Sequence, residues 1–148
     1  MFRDIKLADD EIYLEIDELI DGDDENPATY RFHIKSVDNK RIGGCSFRVG
    51  DNYNKNRHIK YGGNIGYDID ELYRGNKYSL KACKLLLLLA KSHNMQSVRI
   101  TCNPENKASR RICELLGANY ITILDLPEDD YNYINNGTKQ HCVYEMTI

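Results

Sequence analysis

Positive charge is not in surplus in this chain. Lysines and arginines number 20 against 23 acids, a formal charge of −3, and broad nucleic-acid binding, which needs a basic face, is set aside. Long apolar runs are missing too. The longest, residues 85–90, falls far short of the roughly 20 residues of a membrane span, so a membrane is set aside as a partner. The opening "MFRDIKLADDEIY" has no apolar core of the kind a signal peptide carries. Cysteine spacing of the CxxC type is absent. The five cysteines, Cys45, Cys83, Cys102, Cys113 and Cys142, are odd in number and scattered, and no two Cys or His form a metal-like pair. No metal is expected, and the cysteines read as small reduced hydrophobes in a cytoplasmic protein. There is no GK[ST] pair, hence no nucleotide P-loop. No repeat or low-complexity linker divides the 148 residues, which are expected to form one domain, 1–148.

What is present is an ordinary globular composition, 41% hydrophobic and 29% charged, with clear periodicities. "EIYLEIDELI" alternates apolar and charged residues as a half-buried strand does. The acidic "DGDDENPAT" follows, with Gly22 and Pro27 as breakers; it is either a solvated loop or a lure for a cation. "YRFHIKSV" and "RIGGCSFRV" read as a hairpin turning at "DNK", and the loop "GDNYNKNR" comes next. "NIGYDIDEL" is a strand with Ile65, Tyr67 and Ile69 on one face and Gly66 and Asp68 on the other. A helix from Ser79 to His93 is apolar almost all round and must be covered on most sides. "SVRITC" is a short buried strand. "ENKASRRICELLG" is a helix packing through Ala108, Ile112, Leu115 and Leu116 and stopping at Gly117. Late strands "NYITILDL" and "HCVYEMTI" flank the turn-rich "PEDDYNYINNGTKQ". The early strands suit antiparallel pairing, while the strand–helix–strand crossover requires a parallel pair. The expected fold is α/β of the α+β kind: one mixed, mostly antiparallel sheet with a central parallel pair and flanking helices.

The segment most suggestive of chemistry is "YRGNKYS". It follows a strand and opens a helix, so its first N–H groups have no backbone partner and carry the positive end of the dipole. Gly75 admits close approach to the backbone, and Arg74 and Lys77 add charge. Either this is a seat for a phosphate or diphosphate, or it is a basic helix start held by Asp70 and Glu71.

"GYDIDELYRGNKYSLKACKLLLLLAK" followed by "ITCNPENKASRRICELLGANY" resembles the GNAT N-acetyltransferase superfamily, in particular its branch of ribosomal-protein N-terminal acetyltransferases. The resemblance is strong over residues 62–120. It implies the GNAT fold, with the parallel strands splayed at the cofactor site, and acetyl-CoA as cofactor. Arg74, Gly75, Asn76, Lys77, Tyr78 and Ser79 would then line the diphosphate turn, with Arg74 in the signature's first position, Ser79 in its last, and Lys77 where the family has glycine. Asn106 and Ser109 match the second segment, on the lower part of coenzyme A. Backbone groups around Ile69 and Asp70 would bond the pantetheine amides as another strand does, and a strand N–H could meet the thioester oxygen. The implied activity is acetyl transfer to a primary amine of a small molecule or peptide by direct attack in a ternary complex. The alternative is a catalytically silent acyl-CoA-binding sensor or partner subunit. A homodimer is compatible with either.

Two positions depart from the family pattern. Where many relatives have a tyrosine as thiolate acid the chain has Cys113, and where some have a carboxylate base it has Thr101. Ser109 is the substitute acid, unless it only bonds its own helix. Asp68 is the substitute base, unless it is a solvated or ion-paired carboxylate; Glu71 is a third candidate or a turn residue. His33, His58, His93 and His141 stand isolated in sequence and take no role. The short interval "DGDDENPATY" leaves the acceptor side open, or walled by loop 50–58 and segment 127–139.

Overall fold

The computed structural model describes residues 1–148. Strands β1 (Ile12–Ile20), β2 (Thr29–Ser36), β3 (Arg41–Arg48) and β4 (Ile65–Ile69) form an antiparallel sheet in chain order. The alternation fixes which face is buried: Ile12 and Leu14, then Tyr30, Phe32 and Ile34, then Gly43, Cys45 and Phe47, with Ile42 buried beside them where the register shifts. They pack beneath helix α2 (Tyr78–Ser92), whose Ala82, Cys83, Leu85, Leu86, Leu89 and Ala90 are all buried. This is the greasy helix of the sequence, displaced by one residue. Strand β5 (Ser97–Cys102) follows, then α3 (Lys107–Leu116), β6 (Asn119–Asp125) and β7 (Gln140–Thr147), the three strands forming a second antiparallel sheet with β7 in the centre.

The α+β class and flanking helices are as expected, and the splaying is more complete than one continuous sheet implies. No ladder joins β4 to β5. They meet only where they begin. The Asn64 N–H donates to Arg99 O at 2.7 Å, and Asn64 Oδ1 accepts from the Arg99 N–H at 2.8 Å. Asn64 is fully buried, and its Nδ2 donates to Arg48 O and Gly50 O. One residue thus makes four bonds, three of them through its side chain, that a slipped register would leave unmade, which is costly in a dry interior. Beside it, Gly63 has φ +72°, and a Cβ there would lie 2.8 Å from Arg99 O; only glycine allows the strands to touch here. Beyond this rivet the strands diverge.

Two short helices were not expected. Helix α1 (Arg57–Gly62) begins in the loop after β3, capped by Asn56, and α4 (Tyr131–Asn136) lies between β6 and β7, capped by Asp130. The packed face of α3 also differs: Cys113 is its buried centre, while Ala108 and Leu115 are exposed. All five cysteines are free and buried. No helix is long and apolar enough to cross a membrane.

Candidate active site

The α-helix starts in this protein are capped by side chains, with one exception. Asn56, Asn106 and Asp130 each accept from an N–H in the first turn of their helix. Helix α2 opens instead with Lys77, which makes no side-chain cap bond, and its first backbone bond is Lys81 N–H to Lys77 O. The N–H groups of Tyr78, Ser79 and Leu80 are therefore left at the positive end of a fifteen-residue helix. Lys77 sits at φ +60°, in the left-handed region that favours glycine. Gly75, at φ +89°, has nothing within 4 Å of where a Cβ would be. Arg74 Nε donates to Ile69 O at 2.8 Å, and its Nη2 lies 3.8 Å from Asp68. The guanidinium is steered over the turn while keeping donors to spare, and the site has the chemistry of an anion seat.

This seat is part of a cleft of about 420 Å³ between the end of β4, the start of α2 and the start of α3. Nine residues singled out in the sequence line it: Asp68, Ile69, Arg74, Gly75, Lys77, Tyr78, Ser79, Asn106 and Ser109. Asp70 and Asn76 do not. The Asp70 N–H donates to Ile42 O and its carboxylate takes two bonds from Arg41, and Asn76 Nδ2 donates to Tyr73 O. The expectation of free backbone groups at Asp70 is thus corrected by strand parity. Antiparallel ladders alternate. With Asp70 and Asn64 bonded across to β3, the backbone groups of Tyr67 and Ile69 are the ones facing the gap, and Ile69 O already holds Arg74.

A second cleft, of about 300 Å³, opens on the other side of the strand gap. The two share Tyr67, Asn106 and Ser109. Tyr67 Oη donates to Ser109 Oγ at 3.1 Å, and Asn106 Oδ1 accepts from the Ser109 N–H. Ser109 Oγ donates to no protein group, so its proton is free to point into the cleft. Burial pushes the Tyr67 hydroxyl well above its ordinary pKa, more than the bond to Ser109 lowers it, and the phenol stays protonated. The Cys113 thiol, pushed up by its hydrogen bond with Cys102 and by burial, is core rather than acid. Asp68 lines the first cleft with its side chain 85% exposed, and is absent from the second.

The wall of the second cleft includes Arg48, Gly62 at the end of α1, Thr101, Asn103, Asn132 of α4 and His141. Of the expected walls, segment 127–139 contributes Asn132 of α4, whereas no residue of loop 50–58 lines the cleft and Gly62, at the end of α1, takes that side. Sequence reading missed Tyr67 and His141 as site residues. A signal existed for Tyr67: alternation puts its hydroxyl on an apolar face, where it must find a partner.

A family model for the acetyltransferase (GNAT) domain matches residues 4–119. No curated protein matches the chain in sequence. Among solved structures, an acetyltransferase from Salmonella typhimurium that modifies the N-terminal serine of a 50S ribosomal subunit protein matches with a TM-score of 0.61 and 19% identity, over 81% of this chain and 64% of its own. A ribosomal-protein-alanine acetyltransferase from Vibrio fischeri gives 0.62 and 20% identity, over 80% and 61%. A microcin self-immunity acetyltransferase, solved with acetyl-CoA and AMP, gives 0.61 and 22%, over 81% and 61%. The chain therefore spans less than two thirds of the length of these solved chains, and at such identity what they share with it is the fold. With the family match running across most of its length, the chain belongs to the GNAT acetyltransferase domain family.

Proposed function

We propose that the protein is an acetyl-CoA-dependent N-acetyltransferase that acetylates a primary amine of a peptide or small molecule by direct attack in a ternary complex. The observation that carries this reading is the uncapped start of α2, open to the same cleft as Arg74, Gly75, Asn106 and Ser109. Acetyl-CoA supplies the acetyl group as an activated thioester. Toward it, Arg74, Lys77 and the Tyr78–Leu80 N–H groups hold the diphosphate, and the Tyr67 and Ile69 backbone bonds the pantetheine arm. Ser109 donates its proton to the leaving sulfur, and Tyr67, donating to Ser109 Oγ, orients that hydroxyl and stabilises it as it gives the proton up. Asp68, beside Arg74 and largely exposed, steers the guanidinium rather than taking the amine's proton.

A thermal shift with acetyl-CoA, coenzyme A and dephospho-coenzyme A tests binding. Ligand at about 100 times its Kd adds about 2.7 kcal/mol, a rise of about 5–10 °C for a chain of this size. No rise refutes the reading. Thiol release across a panel of amines then separates a transferase from the second reading, a silent acyl-CoA sensor, which the missing tyrosine and carboxylate at Cys113 and Thr101 favour. In the reading we prefer, residues 1–148 act as one catalytic domain in the cytoplasm, supported by five unpaired cysteines. A homodimer is supported by the unpaired edge of β6, where Tyr120, Ile121 and Ile123 are exposed; light scattering tests it.

A further inference from the structure

We propose that His141 is the general base that takes the acceptor amine's proton; this rests on the acetyl-transfer reading and names a residue for its other half. His141 is the first buried residue of β7, with only 8% of its surface exposed. Its Nδ1 lies 2.8 Å from the carbonyl oxygen of Tyr61 in α1. A carbonyl can only accept, so Nδ1 must carry the hydrogen. In the neutral ring this leaves the lone pair on Nε2, a tautomer fixed by the fold as it is in histidines that trade protons.

The direction of Nε2 follows from the rest of the hydrogen bonding. No protein group bonds it. No buried side-chain nitrogen or oxygen in the molecule lacks a partner. Nε2 therefore keeps some access to solvent, and the opening His141 lines is the second cleft, shared at Tyr67, Asn106 and Ser109 with the first. The register supports the placement. Thr101 pairs with Val143 across β5 and β7, so His141, two residues from Val143, stands on the same face as Thr101 and diagonally across from it. Such neighbours lie about 7–8 Å apart.

Little else in this cleft can do the task. Arg48 is a fixed cation donating to the Gly62 and Gly63 carbonyls. Thr101, Asn103 and Asn132 offer no basic nitrogen. Tyr67 is already donating to Ser109. The cleft also holds no carboxylate, so nothing there welcomes an ammonium ion, and the amine must react neutral. In the step, the amine nitrogen bonds to the acetyl carbonyl carbon and the carbon–sulfur bond breaks. One N–H proton passes to His141 Nε2, and the sulfur takes its proton from Ser109. The imidazolium then returns a proton through water to the hydroxyl pair. The products are an amide and a free thiol, with no other reactant.

The test uses the full chain with acetyl-CoA and two probe acceptors, short peptides with free N-terminal serine and alanine. His141→Asn retains an amide donor for Tyr61 O and removes the basic nitrogen. It should lower kcat 10²–10⁴-fold while leaving the acetyl-CoA Kd within about twofold. His141→Ala should regain at least tenfold of its lost rate on adding free imidazole, a response that a merely structural histidine does not give. Nitrogen-15 NMR of the resting protein should show Nδ1 protonated and Nε2 bare. A His141→Asn enzyme within threefold of wild type, a loss that imidazole does not restore, or the opposite tautomer overturns the base assignment and leaves the transferase reading standing. Wild-type protein that binds acetyl-CoA but acetylates neither peptide nor any other amine overturns both.

Discussion

Lys77 allows charge and backbone strain to be measured separately. It occupies a left-handed conformation, φ +60° and ψ 25°, at the entrance to α2. For a residue with a Cβ this costs roughly 1–2 kcal/mol, while glycine avoids that cost but gives up about 0.5–1 kcal/mol of chain entropy. Lys77→Gly should therefore be more stable than Lys77→Ala by about 0.5–1 kcal/mol, or about 1–4 °C in melting temperature for a chain of this size. Both variants lose the same ammonium, so both should lose the same affinity for coenzyme A. Lys77 has no acidic partner in the protein, and an exposed point charge on a phosphate should contribute at most tenfold, about 1.4 kcal/mol. Differential scanning fluorimetry with and without coenzyme A reads both effects in one experiment. A Lys77→Gly protein that melts below Lys77→Ala would show that the backbone at 77 is not left-handed. A loss of a hundredfold or more in both would make Lys77 a principal anchor and refute the seat built on bare N–H groups.

Other perturbations probe the neighbouring parts. Arg74→Ala should abolish most of the thermal shift with coenzyme A while changing the melting point of the free protein by no more than a few degrees; an undiminished shift would remove Arg74 from the seat. Asn106→Ala removes the cap of α3 and should cost about 1 kcal/mol by chemical denaturation, and because Ser109 hangs from that cap it should also lower acetyl transfer. His93 supplies a pH test. Its Nε2 lies 2.6 Å from Tyr30 Oη, which accepts from the Arg3 N–H and so donates to the imidazole. Burial first, then the positive charges of Arg3 and the N-terminus, push its pKa below the ordinary 6.5. A depressed folded-state pKa means that the unfolded chain binds the proton more readily, so stability is full above pH 6.5 and falls as pH drops below it. Urea midpoints at pH 7.5 and 5.5 should show this decline, and His93→Gln, whose amide oxygen can accept from Tyr30, should flatten it.

How much of this was legible in the sequence depends on how local each feature is. The Asn106 cap, the Gly117 stop and the bare, basic opening of α2 are written within a few residues of themselves. The split between the sheets is not. It depends on Asn64 meeting Arg99, 35 positions away, and no periodicity marks such a pivot. The Tyr67–Ser109 bond spans 42 positions and the His141–Tyr61 bond spans 80, so a histidine isolated in sequence comes to line the second cleft. Helices α1 and α4, six residues each, are too short to show a 3.6-residue period against their polar surroundings. Asp70 was a different kind of miss. Counting parity along "GYDID" puts its backbone with that of Asp68, on the β3 side, and away from the gap.

The short link between β1 and β2 ties the acceptor side to the rest of the molecule. A sheet face left without helices must either be apolar and covered or polar and wet. Here the outer face of the first sheet is the second kind: Glu15 pairs with Lys35, Asp17 with His33 and Glu18 with Arg31 across β1 and β2. Such exposed pairs contribute only about 0.2–1 kcal/mol each, so their importance is less in stability than in making an uncovered sheet soluble without a helical layer. The consequence reaches the chemistry. A groove lined by Asp17, Arg31, His33, Arg41, Ser46 and Asp68 runs over that bare face and includes Tyr67, the residue that also borders both clefts. In the acetyl-transfer reading proposed above, an acceptor would lie along the open sheet and present its amine to the cleft that Ser109 and His141 line. That reading predicts an extended peptide end to be a better acceptor than a ligand needing enclosure on all sides, because peptide backbone would use the polar groups of the face while only its terminal nitrogen entered dry surroundings.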